Sequence, residues 1–189
     1  MDAAFKNTAK MIEETYQVTF VILKAAEKIN AGKHKLAEFL KGSKAKDIAY
    51  LSNEQGYGGL LWFNIEQIVA FVEQLEEMEL KNKLAGKWRI TSMSGWDKEY
   101  CDMEVPAYIR IGKNLMGDFQ FGLVSASIDG RILKRSLEEF FDFTWDGNDE
   151  CDPASGSGWM VLKGKNNADG EIKIHLGDSS AFQAKRMRK

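Results

Sequence analysis

At 189 residues with 44% apolar side chains, the chain is long and apolar enough to close one large core or two small ones. Its 26 basic and 28 acidic side chains leave a formal charge of −2, which excludes both a charge-driven disordered chain and binding to polyanions by overall charge. Cys101 and Cys151 make neither a disulfide scaffold nor a four-ligand zinc site, and no apolar run suits a signal peptide or a membrane span. A reducing, cytoplasmic setting without membrane contact is therefore expected.

Phe20, Ile22, Leu23, Ala26 and Ile29 recur at helical spacing opposite Lys24, Glu27 and Lys28, predicting a first amphipathic helix. After a break at Ala31 and Gly32, the residues Leu36, Ala37, Phe39 and Leu40 predict a short second helix that stops near Gly42. Ser43 reads as the N-cap of a restart reaching Ile48. Residues 52–59, with three glycines, read as loop. Asn64 then caps a third helix carrying Ile65, Ile68, Val69, Phe71, Val72, Leu75 and Met78, ending near Leu80, and residues 81–85 form a short linker.

From Gly86 the texture changes to short alternating segments punctuated by Gly, Asp and Asn. Strands are predicted at 88–93, 100–111, 117–124, 126–133, 140–145, 158–162, 171–176 and 181–186. About eight strands in simple order suit an antiparallel up-and-down β-barrel. The expected fold class is α+β, with a helical module over residues 1–83 followed by the barrel over residues 84–189.

The segment His34-Lys-Leu-Ala-Glu-Phe-Leu-Lys-Gly-Ser-Lys-Ala-Lys-Asp-Ile48, with Gly56-Tyr57-Gly58 and the helix ending Glu73-Gln-Leu-Glu-Glu-Met-Glu-Leu80, resembles the C-terminal winged-helix domain of RecQ-type DNA helicases. In that family a Gly-Ser turn approaches the phosphate backbone, so the resemblance implies Lys41, Ser43, Lys44 and Lys46 as nucleic-acid contacts. Two features depart from the family. The helix in the recognition position carries Glu66, Glu73, Glu76, Glu77 and Glu79 with no Lys or Arg before Lys81, and no wing hairpin precedes the barrel, so neither groove insertion nor strand separation is expected. The motor is absent too, because no G-x-x-x-x-G-K-[ST] occurs.

Gly86-Lys87-Trp88 at the first strand and Lys185-Arg186 on the last resemble the calycin-like barrels, the group of lipocalins and fatty-acid-binding proteins, and Trp145 to Trp159 is similar to a segment of bacterial barrel proteins of unassigned function. The resemblance implies that Trp88 plugs one barrel end beneath a basic side chain, Arg186 or Lys185. The tail Lys185, Arg186, Arg188 and Lys189 reads as a solvated basic cluster that supplies this contact.

Phe119, Phe121, Phe141, Phe143 and Trp145 alternate along neighbouring strands and either fill the barrel or line a cavity for a small apolar ligand. Asp146, Asp149, Glu150 and Asp152 are the metal candidate. Counted from Asp146, the positions that a calcium loop needs as Gly and Glu hold Cys151 and Ser157, so the run reads instead as turn-capping carboxylates that accept backbone N–H bonds. Cys151, His175 and Asp178 hold the residue types of a nucleophilic triad. The alternation of Ile172, Ile174 and Leu176 against Glu171, Lys173 and His175 nevertheless puts His175 on the outer face. His34, between Lys33 and Lys35, reads as a surface residue, and Ser155 and Ser157 lack a nucleophile-elbow context.

These readings lean away from an enzyme and toward a binding or adaptor protein without cofactor, contacting nucleic-acid backbone or a protein partner through the helical module. A small-molecule carrier or sensor using the barrel interior is the alternative, and a metal-assisted hydrolase at the acidic run is the third reading.

Overall fold

The structure, a computed structural model, describes residues 3–135 and 138–187; Arg188 and Lys189 of the basic tail lie outside the described residues. The chain divides into two compact units, Met1–Met78 and Glu79–Lys189. The fold is α+β: a helical N-terminal part followed by a closed antiparallel barrel.

Helix α1 spans Ala3–Lys28 and α2 spans Lys33–Lys41. On α1 Ile22 and Ala25 are buried, as is Ile29 just past its end, whereas Phe20 and Leu23 are about half exposed and Ala26 lies on the exposed side. The predicted apolar face was thus rotated. The small Ala25, fully buried, lies beside the Gly56 backbone, a close approach that side-chain hydrophobicity alone does not signal. All four apolar residues predicted for α2 are buried, and the helix ends at Gly42 with φ 75° and ψ 39°, which lets the Ser43 and Gly42 N–H groups bond to Glu38 O and Phe39 O.

No helix restarts at Ser43. Its Oγ accepts from the Ala45 N–H at 3.2 Å, and the chain runs through turns into one 3-10 turn at Ala49–Leu51. Between Ser43 and Ile48 the sequence Lys-Ala-Lys-Asp has no apolar stripe to bury, so only Ile48 is anchored. Helix α3 spans Ile65–Leu84 and opens on a reciprocal capping box, Asn64 Oδ1 accepting from Gln67 N–H at 2.7 Å and Gln67 Oε1 from Asn64 N–H at 2.9 Å. It continues through the predicted linker because Leu80 and Leu84 are both buried and Lys81 and Lys83 suit a helix C-terminus.

The barrel strands are β1 (Gly86–Met93), β2 (Tyr108–Ile111), β3 (Met116–Phe121), β4 (Val124–Arg135), β5 (Glu138–Asp149), β6 (Asp152–Leu162), β7 (Asn167–Ile174) and β8 (Ser179–Arg186). They pair in sequence order, and β8 closes on β1 with Trp88 opposite Arg186. The predicted strand at 100–111 is mostly something else: Asp97 accepts from the Tyr100 N–H at 2.7 Å and caps the short helix α4 (Lys98–Cys101), leaving only Tyr108–Ile111 as strand. The register places α4 at the barrel end that carries the β3–β4, β5–β6 and β7–β8 turns, opposite the end at which Trp88 begins and Arg186 finishes the sheet.

Interior space is set by rings lying over glycines. Gly156 faces Trp145, Gly158 faces Phe143 and Gly170 faces Phe182 across neighbouring strands, and an added Cβ would come within 2.8, 2.4 and 2.4 Å of those rings. Bulky residues at both members of each pair would overfill a barrel of this strand number.

Candidate functional site

Two segments of the helical unit lie side by side: the α2 terminus with its Gly42-Ser43 turn, and the Tyr57 to Trp62 turns. Gly58 N–H bonds to Phe39 O at 2.9 Å and Leu60 N–H to Leu40 O at 2.8 Å, and the Tyr57 hydroxyl donates to Ser43 O at 2.7 Å. Lys41 donates one ammonium hydrogen to Leu61 O at 2.5 Å. Ser43 Oγ accepts from the Ala45 N–H, which leaves its O–H able to donate. Lys44 and Lys46, by contrast, are exposed and make no hydrogen bond or ion pair among the described residues. The four residues predicted as one phosphate site therefore follow one another along one turn, Lys41 and Ser43 making one side-chain bond each and Lys44 and Lys46 none among the described residues.

The neighbouring turns carry two further exposed rings that the sequence analysis did not single out. Trp62 is 93% exposed and Tyr50 76% exposed, both in turns flanking the lysines. The run Leu60-Leu61-Trp62-Phe63 offers four apolar residues without a period, so nothing in it tells that Leu60 is buried while Trp62 faces out.

In the barrel, Trp88 is fully buried, its indole N–H donates to Leu84 O at 2.8 Å, and the Arg186 guanidinium lies 4.3 Å from its ring centroid. Arg186 also donates to Ala85 O at 2.9 Å, and burial lowers its pKa from the ordinary arginine value. Phe119, Phe121, Phe141, Phe143 and Trp145 are all buried and pack ring on ring. Phe119 stacks on Phe121 at 5.9 Å and meets Trp145 edge-on at 5.4 Å, and Phe141 stacks on Phe143 at 5.3 Å. At the other end Trp96 contacts Phe121 at 4.9 Å, and Tyr100, whose pKa is raised by burial and then by Asp149, stacks on Trp96.

Beside α4, Arg89 pairs with Asp102 and donates to Ala107 O at 2.7 Å, while Asp102 accepts from the Ala107 N–H at 3.0 Å. Burial works to raise the Asp102 pKa, but the Ala107 N–H and Arg89 outweigh it and hold the carboxyl below the usual range. A depressed carboxylate pKa stabilises the fold above the unfolded value of about 3.9, and the gain is lost as pH falls through the folded value. Asp102→Asn is expected to cost about 1 to 3 kcal/mol at pH 7 and much less at pH 3, read from urea midpoints at both pH values.

The acidic run is not a Pro/Gly turn. Asp146 and Asp149 belong to β5 and Asp152 to β6, Asp149 pairs with Asp152, and only Glu150 (φ 53°) and Cys151 form the hairpin tip. Gly147, Asn148, Pro153, Gly156 and Gly158 are strand residues; Pro153 has no N–H to offer, and the N–H groups of the other four do not bond to these carboxylates. The turn-capping expectation is thereby overturned. The described residues contain no group of three or more His, Cys, Asp or Glu arranged to hold a metal ion.

Strand β7 stops at Ile174, which puts His175 and Leu176 in the β7–β8 turn; Leu176, expected inside, is 95% exposed with φ 57°. No hydrogen bond links His175 to Cys151 or Asp178 among the described residues. On the outer face Thr144, Ser155, Ser157, Lys173 and His175 border an open concavity of 510 Å³ floored by Gly156 and the edge of Trp145. In the helical unit a groove of 370 Å³ runs between Val18 and Ile22 of α1 and Phe71, Leu75 and Met78 of α3.

Compared with family models, with curated proteins and with solved structures, the chain matches none. The protein is thus classed by its architecture alone, a helical unit joined to a closed eight-stranded antiparallel barrel. No helix among the described residues is long and apolar enough to cross a membrane.

Proposed function

We propose that this is a non-enzymatic binding or adaptor protein whose helical unit, a wingless relative of the RecQ-type winged helix, contacts nucleic-acid backbone. The observation that carries the reading is the pair Lys44 and Lys46, exposed and unpaired among the described residues, on a turn whose shape is held by Tyr57, Lys41 and Ser43. Two ammonium groups on a braced turn take phosphate oxygens without a cost for ordering the backbone that carries them. The acidic residues of α3 oppose deep docking, which limits the contact to the backbone.

In the same reading the barrel is calycin-like, with Trp88 beneath Arg186 closing one end. A small apolar ligand in its interior is the weaker reading, because the buried aromatic rings occupy one another's faces where that ligand would lie.

Binding at physiological salt is expected with a Kd in the range of about 10⁻⁴ to 10⁻⁶ M, tighter at low salt and without sequence preference. Replacing Lys44 and Lys46 together by Ala is expected to weaken it about tenfold in a fluorescence-anisotropy titration. Unchanged affinity in the double variant would reject this surface as the contact.

A further inference from the structure

We infer that the nucleic acid held at this surface is single-stranded, with a base stacked on Trp62. The inference rests on the proposed backbone contact and adds to it the form of the ligand. Trp62 is the most exposed aromatic side chain among the described residues, and the backbone on either side of it is tied down. Phe63 N–H bonds to Leu60 O at 3.1 Å, Leu60 is buried and bonded to Leu40, and the capping box of α3 begins two residues on, at Asn64. A large apolar ring displayed on a rigid turn is costly in water and well prepared for a flat partner.

The surroundings select that partner. Lys41 bonds to the carbonyl of the residue before Trp62, and a Cβ on Gly42 would touch Gly58 and Leu61 at 3.2 and 3.3 Å, so the lysine turn abuts the turn bearing the ring. Lys44 and Lys46 follow on one side, and Tyr50, also exposed, lies four residues beyond Lys46. An exposed aromatic ring and ammonium groups carried on adjoining turns are the combination that holds unpaired bases and their phosphates together. Duplex DNA keeps its base faces stacked inside and cannot use the ring.

The test uses the full chain with fluorescein-labelled oligothymidylate, a duplex of equal length, and poly-L-glutamate. The wild type is expected to bind the single strand more tightly than the duplex and to leave poly-L-glutamate unbound. Trp62→Ala is expected to weaken single-strand binding about tenfold or more while leaving duplex affinity unchanged, and Trp62→Phe to retain most of it. Unaltered single-strand binding in Trp62→Ala, with Lys44→Ala/Lys46→Ala still impaired, would overturn the stacking inference and leave the backbone contact standing. Absence of binding to either nucleic acid at low salt would remove both. Equal binding of poly-L-glutamate would assign the surface to an acidic polypeptide and overturn the stacking inference.

Discussion

Trp88→Ala is expected to be among the most destabilising single substitutions in the barrel, costing about 3 to 5 kcal/mol. Three losses add at one position. The ring is fully buried in the core, its N–H serves the carbonyl of Leu84, and its face carries the guanidinium of Arg186. Removing it leaves a cavity, an orphaned carbonyl and a half-buried cation without its partner. Trp88→Phe separates these contributions: it keeps most of the volume and the face beneath Arg186 but loses the hydrogen bond, for about 1 kcal/mol plus a smaller packing term. Equilibrium urea denaturation followed by near-UV circular dichroism reads both variants. A Trp88→Ala protein within about 1 kcal/mol of wild type would mean that the barrel end is closed by other groups.

Gly156→Ala is expected to cost about 3 kcal/mol, the upper end for overpacking, because the obstacle is not a side chain that can turn away. Its Cβ would sit 1.9 Å from the Lys173 carbonyl oxygen and 2.8 Å from the Trp145 ring. Relief requires β6 to move from β7 or Trp145 to leave its place against Phe119, and either opens the ladder or the core. Ser157→Ala, one residue along the same strand on the exposed outer face, is the control and should stay within about 0.5 kcal/mol. Thermal melts of the two variants, compared side by side, check the expectation; equal melting temperatures would show that the glycine is not a steric requirement.

Gly156 also illustrates why some of this structure was hidden from sequence reasoning. Punctuation by Gly, Asp and Asn in the second half is enough to count eight strands and order them. It does not reveal that Gly156 and Gly170 sit inside strands, nor that they and Gly158 lie beneath aromatic rings, since the ring that excludes a Cβ lies on a neighbouring strand. The same limit applies to the acidic run. Carboxylates near Pro and Gly look like a turn, yet cross-strand pairing with β4 and β6 extends the sheet to Asp149 and Asp152. At 100–111 the alternating pattern suggested a strand, and a single local bond from Tyr100 N–H to Asp97 made helix α4 instead.

Local signals read well where the competing structure was also local. Gly42 as a left-handed helix stop and Asn64 as a cap need only their immediate neighbours. Lys41, Ser43, Lys44 and Lys46 were grouped by a resemblance to a family whose model the chain does not match. Lys41 and Ser43 each take a partner, Leu61 O and Ala45 N–H, that only the folded chain supplies. Trp62 was invisible as a surface residue because Leu60, Leu61 and Phe63 around it are equally apolar.

The account stands most directly on the electrostatic contact at Lys44 and Lys46, and the measurement that probes it is the salt dependence of single-strand binding. For the wild type the logarithm of the association constant should fall linearly with the logarithm of salt concentration. In the Lys44→Ala/Lys46→Ala variant the slope should be shallower by about 1.4, the share of two released counterions on a single strand. Identical slopes for the two proteins, or no binding by the wild type at low ionic strength, would contradict the claim.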